Sequence, residues 1–197
     1  MVEEKILNKE KSDEELVLAT LKDKESYRFL MQRYEEKLLR YIMRLIRVAK
    51  EDAEDILQSA FIKAYINLND FDQRLKFSSW MYRIVHNEAI THLRRLKSRP
   101  KTFALEVNEI ILEKLRADLD IEKDVDKNYL KKDIKEIIDS IDKKFKDVIV
   151  LRYMEDKDYK EISDILKKPM GTVAILLKRA KEKIKESIIN KSKHNIL

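Results

Sequence analysis

Lys178, Arg179 and Lys181 fall within four residues, just behind the segment Tyr159-Lys160-Glu161-Ile162-Ser163-Asp164-Ile165-Leu166-Lys167-Lys168-Pro169-Met170-Gly171-Thr172-Val173. Cations grouped this way neutralise backbone phosphates, while the first residues of the helix they share, Thr172, Ala174 and Ile175, are placed to meet base edges. A second group is acidic: Asp52, Glu54 and Asp55 followed by Gln58, with no cation from Glu51 to Ile62. Three chemistries fit it. Carboxylates in a first helical turn offset the helix dipole. Asp55 and Gln58, three residues apart on one face, offer a surface to a basic partner. A metal or hydrolase site is the third, but carboxylates on one turn do not converge on an ion and no histidine is near. A third group runs from Phe71 to Arg83 and mixes aromatics with cations, as proteins that stack unpaired bases do. Phe77 and Trp80 lie at helical spacing with Ile84 and read as core, which leaves Phe71 and Arg74, in an expected loop, as the DNA-facing pair.

These groups need elements to hold them. The 159–173 segment predicts two short amphipathic helices around a tight turn that carries the only Gly of the chain and one of its two prolines. A Gly there supplies φ > 0 where a helix–turn–helix reverses, and Thr172 is expected as the N-cap of the second helix. An ordinary helical hairpin is the alternative; the single Gly, the cap and the one-sided charge favour DNA. Upstream, Ser12-Asp13-Glu14-Glu15 is a capping box for a first helix to about Leu21. Leu30, Tyr34, Leu38, Tyr41, Ile42 and Leu45 recur on one face of a second helix starting near Lys24. A third begins near Glu51. Asn67 to Lys76 reads as a loop, and Ser78 or Ser79 caps a fourth helix that runs to about Lys97. Pro100 closes a first domain spanning 12–100. Residues 101–129 read as an acidic linker of partial helicity, and 130–190 as a second domain with helices at Leu130 to Ser140, Lys143 to Met154, Tyr159 to Leu166 and Thr172 to about Ile189.

Composition agrees with an all-α protein of two small helical domains: of 197 residues 41% are charged, one is Gly and two are Pro, too few turn formers to punctuate strands. The absence of Cys excludes a disulfide framework and thiolate metal sites. Met1-Val2-Glu3-Glu4-Lys5 lacks the basic start of a signal peptide, and no apolar run reaches membrane-spanning length, so a cytoplasmic protein without membrane insertion is expected. Within the net charge of +6, Lys167 to Lys193 holds nine basic residues against two acidic, and Thr102 to Asp142 twelve acidic against seven basic. Basic zones separated by an acidic stretch imply nucleic-acid contacts on two modules. His86, His92 and His194 are dispersed, and no catalytic, metal or cofactor site is legible.

Taken together, Asp52-Ala53-Glu54-Asp55-Ile56-Leu57-Gln58, Phe71-Asp72, Phe77-Ser78-Ser79-Trp80-Met81-Tyr82-Arg83-Ile84 with Asn87, Glu161-Ile162, and Pro169-Met170-Gly171-Thr172-Val173 resemble the extracytoplasmic-function sigma factors of bacterial RNA polymerase. The resemblance runs from about Ser26 to Lys185 and leaves the linker unmatched. It implies a non-enzymatic σ2–σ4 initiation factor that binds core polymerase and promoter DNA. Asp52, Glu54, Asp55 and Gln58 would then dock on the polymerase clamp. Phe71, Arg74, Ile84 and Asn87 would receive a flipped base of the minus-ten element. Thr172, Ala174, Ile175, Lys178, Arg179 and Lys181 would enter the major groove at the minus-thirty-five element. An anti-sigma factor is the further partner usual in the family.

Several positions depart from that pattern. Ser59 replaces a usual Glu, Ile141-Asp142 a usual Leu-Pro, and Ala174-Ile175-Leu176 a basic residue, Ser and Arg. The last change leaves only apolar contact, for example to thymine methyls, early in the recognition helix. Two rival readings are a stand-alone helix–turn–helix regulator, which gives the aromatic–cationic loop no purpose, and a nuclease built on Asp52 to Asp55, which lacks a second set of ligands.

Overall fold

The computed structural model describes residues 11–95, 107–119 and 127–194, all helix, turn or loop with no strand among them. The chain divides into two compact units, Met1–Thr102 and Phe103–Leu197.

The first unit holds α1 (Asp13–Lys22), α2 (Tyr27–Ile46), α3 (Lys50–Ile66) and α4 (Phe77–Arg95). The capping box forms as expected: Glu15 N–H donates to Ser12 Oγ at 3.1 Å and Ser12 N–H to Glu15 Oε2 at 2.6 Å. The predicted stripe of α2, from Leu30 to Leu45, is buried throughout, with Leu38, Tyr41 and Ile42 fully enclosed. Each such side chain contributes about 1.5–3 kcal/mol relative to exposure. The stripe packs against both α3 and α4, which also pack on each other. α1 is tied to α2 through Asp13, which accepts from Arg33 at 2.7 Å and from the Tyr34 hydroxyl. Burial of that phenol pushes its pKa up, so it remains a donor.

One expectation for this unit is corrected. Neither Ser78 nor Ser79 caps α4. The helix starts at Phe77 and its first bond runs from Trp80 N–H to the Lys76 carbonyl at 3.2 Å. The reason is packing, because Phe77 is drawn into the core beside Tyr34 and Trp80 and carries the helix start back with it. The stretch Asn67 to Lys76 is a loop between the two helices and contains one 3₁₀ turn, Leu68–Asp70, with Leu68 buried. The expected ends at Lys97 and Pro100 lie outside the described residues.

The second unit holds α5 (Glu109–Leu119), α6 (Lys127–Ser140), α7 (Lys143–Ile149) continuing into a π turn (Val150–Met154), α8 (Tyr159–Leu166) and α9 (Met170–His194). α5 falls within the stretch 101–129 that reads as a linker of partial helicity. α5 is amphipathic and buries Ile111, Leu112, Leu115, Arg116 and Leu119 against α9 and the π turn. The compact unit therefore begins before the expected boundary at 130, with residues 120–126 outside the described set.

Candidate nucleic-acid and polymerase interfaces

The helix–turn–helix is present as α8 and α9, but the turn is made differently from its sequence expectation. Asp158 caps α8 in a second capping box with Glu161, at 2.7 and 3.0 Å, a pattern legible in the sequence by the rule that located the one at Ser12. Lys167, and not Gly171, takes the left-handed conformation, at φ 52°. Its N–H bonds the Ser163 carbonyl. The Lys168 N–H donates to that same carbonyl at 3.2 Å, while Ser163 Oγ donates to the Lys168 carbonyl at 2.5 Å. Those bonds hold a non-Gly residue at φ > 0 against a cost of about 1–2 kcal/mol. The helix that follows starts at Met170, and Val173 N–H bonds the Pro169 carbonyl at 3.1 Å. Thr172 is therefore inside the first turn, exposed, and not the cap.

Gly171 has helical backbone, and a Cβ built on it would meet nothing within 4 Å. The fold places no demand for Gly there. Gly171→Ala is expected to stabilise the second unit by about 0.4–1 kcal/mol, since the unfolded chain loses conformations that the folded one never used. A rise in denaturant midpoint at constant m-value is the check; a fall would mean that the first turn of α9 is strained.

Along α9, Val173, Leu177, Ala180, Ile184 and Ile188 form the buried stripe. Thr172, Ala174, Ile175, Lys178 and Arg179 are exposed, and Lys181 is half-buried. Ile175 at 54% and Met170 at 55% exposure are large apolar side chains left in water at the end of the helix that would approach base edges. The early positions thus offer shape and methyl contact, while charge begins a turn later.

In the first unit the acidic group resolves into two parts. α3 starts at Lys50 with Glu51 and Asp52 in its first turn, where the dipole accounts for them. Glu54 pairs with Lys50 at 3.5 Å. Asp55 and Gln58 are exposed beyond the first turn, and the dipole effect has faded there. Among the described residues no group of three or more His, Asp or Glu side chains is arranged to hold a metal ion.

Phe71 is the largest departure. Its ring is 7% exposed and lies 5.6 Å from Phe77 and 5.3 Å from Trp80, centroid to centroid. It packs within an aromatic cluster and does not offer a free face to a base. Phe71 precedes a β-turn closed by Leu75 N–H to the Asp72 carbonyl at 2.9 Å, and no period in a loop says where a ring points. Arg74 is fully outside, yet its guanidinium is held by Asp72 through Nε at 2.9 Å and Nη2 at 2.8 Å; this pairing raises its pKa. Ile84 is half-buried and Asn87 exposed. At i+4 and i+7 from Trp80 they continue its side of α4. The aromatic cluster therefore props the strip on which both stand. His86 is buried and bonds the Tyr41 hydroxyl at 2.8 Å, a core contact.

Comparison with known proteins assigns both helical units to regions of one family. The family model for Sigma-70 region 2 matches residues 30–99 and that for Sigma-70, region 4, matches residues 131–184, leaving α5 outside both. The chain is 31% identical over 172 residues to the ECF RNA polymerase sigma factor SigW of Bacillus subtilis, covering 84% of this chain and 90% of SigW. It is also 31% identical over 176 residues to the ECF RNA polymerase sigma-E factor of Haemophilus influenzae, at 84% and 89% coverage. Among solved structures, CnrH in complex with the cytosolic domain of CnrY has TM-score 0.64 at 20% identity, covering 91% of this chain and 99% of that one. The sigma factor RpoE of Bartonella quintana, in complex with the anti-sigma factor NepR, has TM-score 0.60 at 16% identity, with 82% and 96% covered. At those identities the likeness concerns the fold. Both helical units match regions of one family in the family's order, and a relative at 31% identity spans most of the two chains; the chain belongs to the extracytoplasmic-function sigma factors of RNA polymerase.

Proposed function

We propose that this sigma factor directs transcription initiation through three surfaces. Asp52, Glu54, Asp55 and Gln58 on α3 dock on a basic face of core polymerase. Ile84 and Asn87 on α4 meet the minus-ten strand, with Phe71 acting from beneath as a packed support and Arg74 at the rim. The exposed side of α9, from Thr172, Ala174 and Ile175 to Lys178, Arg179 and Lys181, lies in the minus-thirty-five major groove. It reads methyls and shape at its start and neutralises phosphate further on. The protein acts as a non-catalytic factor in the cytoplasm, where polymerase and promoter are. An anti-sigma factor belongs among its partners, a reading supported by the Bartonella quintana neighbour having been solved with one.

The observation that carries the polymerase surface is the exposure of Asp55 and Gln58 beyond the reach of the helix dipole, where neither capping nor the core accounts for them. Asp55→Lys combined with Gln58→Ala is expected to weaken association with core polymerase roughly tenfold or more, a loss of about 1.4 kcal/mol or above. Stability should stay within about 0.5 kcal/mol, as for other exposed substitutions. Pull-down and titration with core polymerase, run beside a thermal melt, check both. Undiminished affinity would return these side chains to a solvated helix face.

A further inference from the structure

α5 belongs to neither matched region, yet it is built into the second unit. Leu112 and Leu115 are fully enclosed, and Ile111 and Leu119 nearly so. Releasing them to water would strip the unit of a wall, so α5 is a fixed part and not a lid. Its last turn carries Asp118. One carboxylate oxygen of Asp118 accepts from the Tyr153 hydroxyl at 2.5 Å and lies 3.9 Å from Lys181 Nζ on α9. Burial pushes the Tyr153 phenol up, and the bond to Asp118 adds to it; the hydroxyl stays a donor and anchors the carboxylate.

Lys181 is placed unlike its neighbours. It follows Ala180 of the buried stripe and flanks that stripe, while Lys178 and Arg179 lie further round the helix. The Lys181 side chain is 32% exposed and its carboxylate partner stands on another helix, whereas Lys178, at 78% exposure, lies 3.9 Å from Glu182 one turn along α9 itself.

We propose that Asp118 is an internal competitor for the DNA backbone: by holding Lys181 it withholds one cation of the recognition helix from phosphate. The proposal rests on the reading of α9 as the DNA-contacting helix and refines which of its charges count. It follows from counterion release. Each phosphate neutralised steepens the fall of log K with log salt by about 0.9. Sequence-independent attraction grows with every cation offered, so an acid that removes one lowers non-specific binding and leaves base contacts untouched.

The test is titration of full-length protein against a short random-sequence duplex between about 50 and 200 mM salt. Wild type, Asp118→Asn, Lys181→Ala, the double variant and Lys178→Ala are compared. Asn keeps an acceptor for Tyr153 and removes only the charge. Asp118→Asn should steepen the salt slope by up to about 0.9, an additional fall of up to roughly 3.5-fold in affinity across that range. Lys181→Ala should flatten the wild-type slope less than it flattens the Asp118→Asn slope, where it cancels the gain. A slope unmoved by Asp118→Asn overturns the proposal. So does a gain that survives Lys181→Ala, which would be a general charge effect, or a Lys181→Ala loss as large in the wild type as in the Asp118→Asn background. Lys178→Ala should flatten the slope in every background. If it does not, the DNA reading of α9 itself falls, separately from the role of Asp118.

Discussion

Phe71→Ala is expected to destabilise the first unit by about 3–5 kcal/mol, the range for truncating a buried aromatic. The ring lies against both Phe77 and Trp80, and its removal leaves a gap that the 3₁₀ turn before it and the Asp72–Leu75 turn after it cannot both close. Against a total stability of about 5–15 kcal/mol for a small domain, such a loss is a large share of the whole, and near the lower end of that range it leaves an appreciable fraction of molecules unfolded. Denaturant unfolding followed by the fluorescence of Trp80, the single tryptophan, reads this directly. Single-strand binding should fall as well, but through loss of the packed unit that carries Ile84 and Asn87. Phe71→Leu separates the two causes. If the ring acts by packing, Leu restores part of both stability and binding, since it refills most of the volume that Ala leaves empty. If Leu restores stability and binding stays lost, the ring contacts the base itself.

The second large effect is expected at a position that reads as linker in the sequence. Leu115→Ala should cost about 2–5 kcal/mol, because the side chain is fully enclosed within a helix packed on α9 and the π turn. On an exposed tether the same change would fall within about 0.5 kcal/mol. Amide hydrogen exchange resolves where the loss falls. Protection of α6 to α9 should drop together with α5, while α1 to α4 keep theirs. Unchanged protection in α9 would mean that α5 does not contribute to the stability of the second unit.

Both positions mark the limit of what pattern alone reveals. The stripe Leu30 to Leu45, the capping box at Ser12 and the pair of helices around residues 159–189 were legible because helical burial repeats every three to four residues. A repeat of that kind reports which side faces the core without naming what it faces. The acidic and basic groups were legible for a similar reason, as charge keeps most such residues at the surface, with Arg116 of α5 an exception. Family membership, too, was visible in the motifs before any coordinates.

Tertiary structure decided the rest. Phe71 has no period around it, and its direction depends on Phe77 and Trp80 lying within reach. The left-handed turn fell to Lys167 because α8 ends there and Ser163 bonds the backbone of Lys168; the local preference of Gly171 for φ > 0 could not move that end by four residues. α5, in a stretch whose periodicity is mixed and whose charge is acidic, became core because α9 and the π turn present an apolar surface that its four buried aliphatic side chains cover. The same packing brings Asp118 to Lys181, sixty-three residues apart in sequence and 3.9 Å apart in space. Periodicity records that a side chain leaves water; only the partners assembled around it determine where it goes, and no window along the chain contains both.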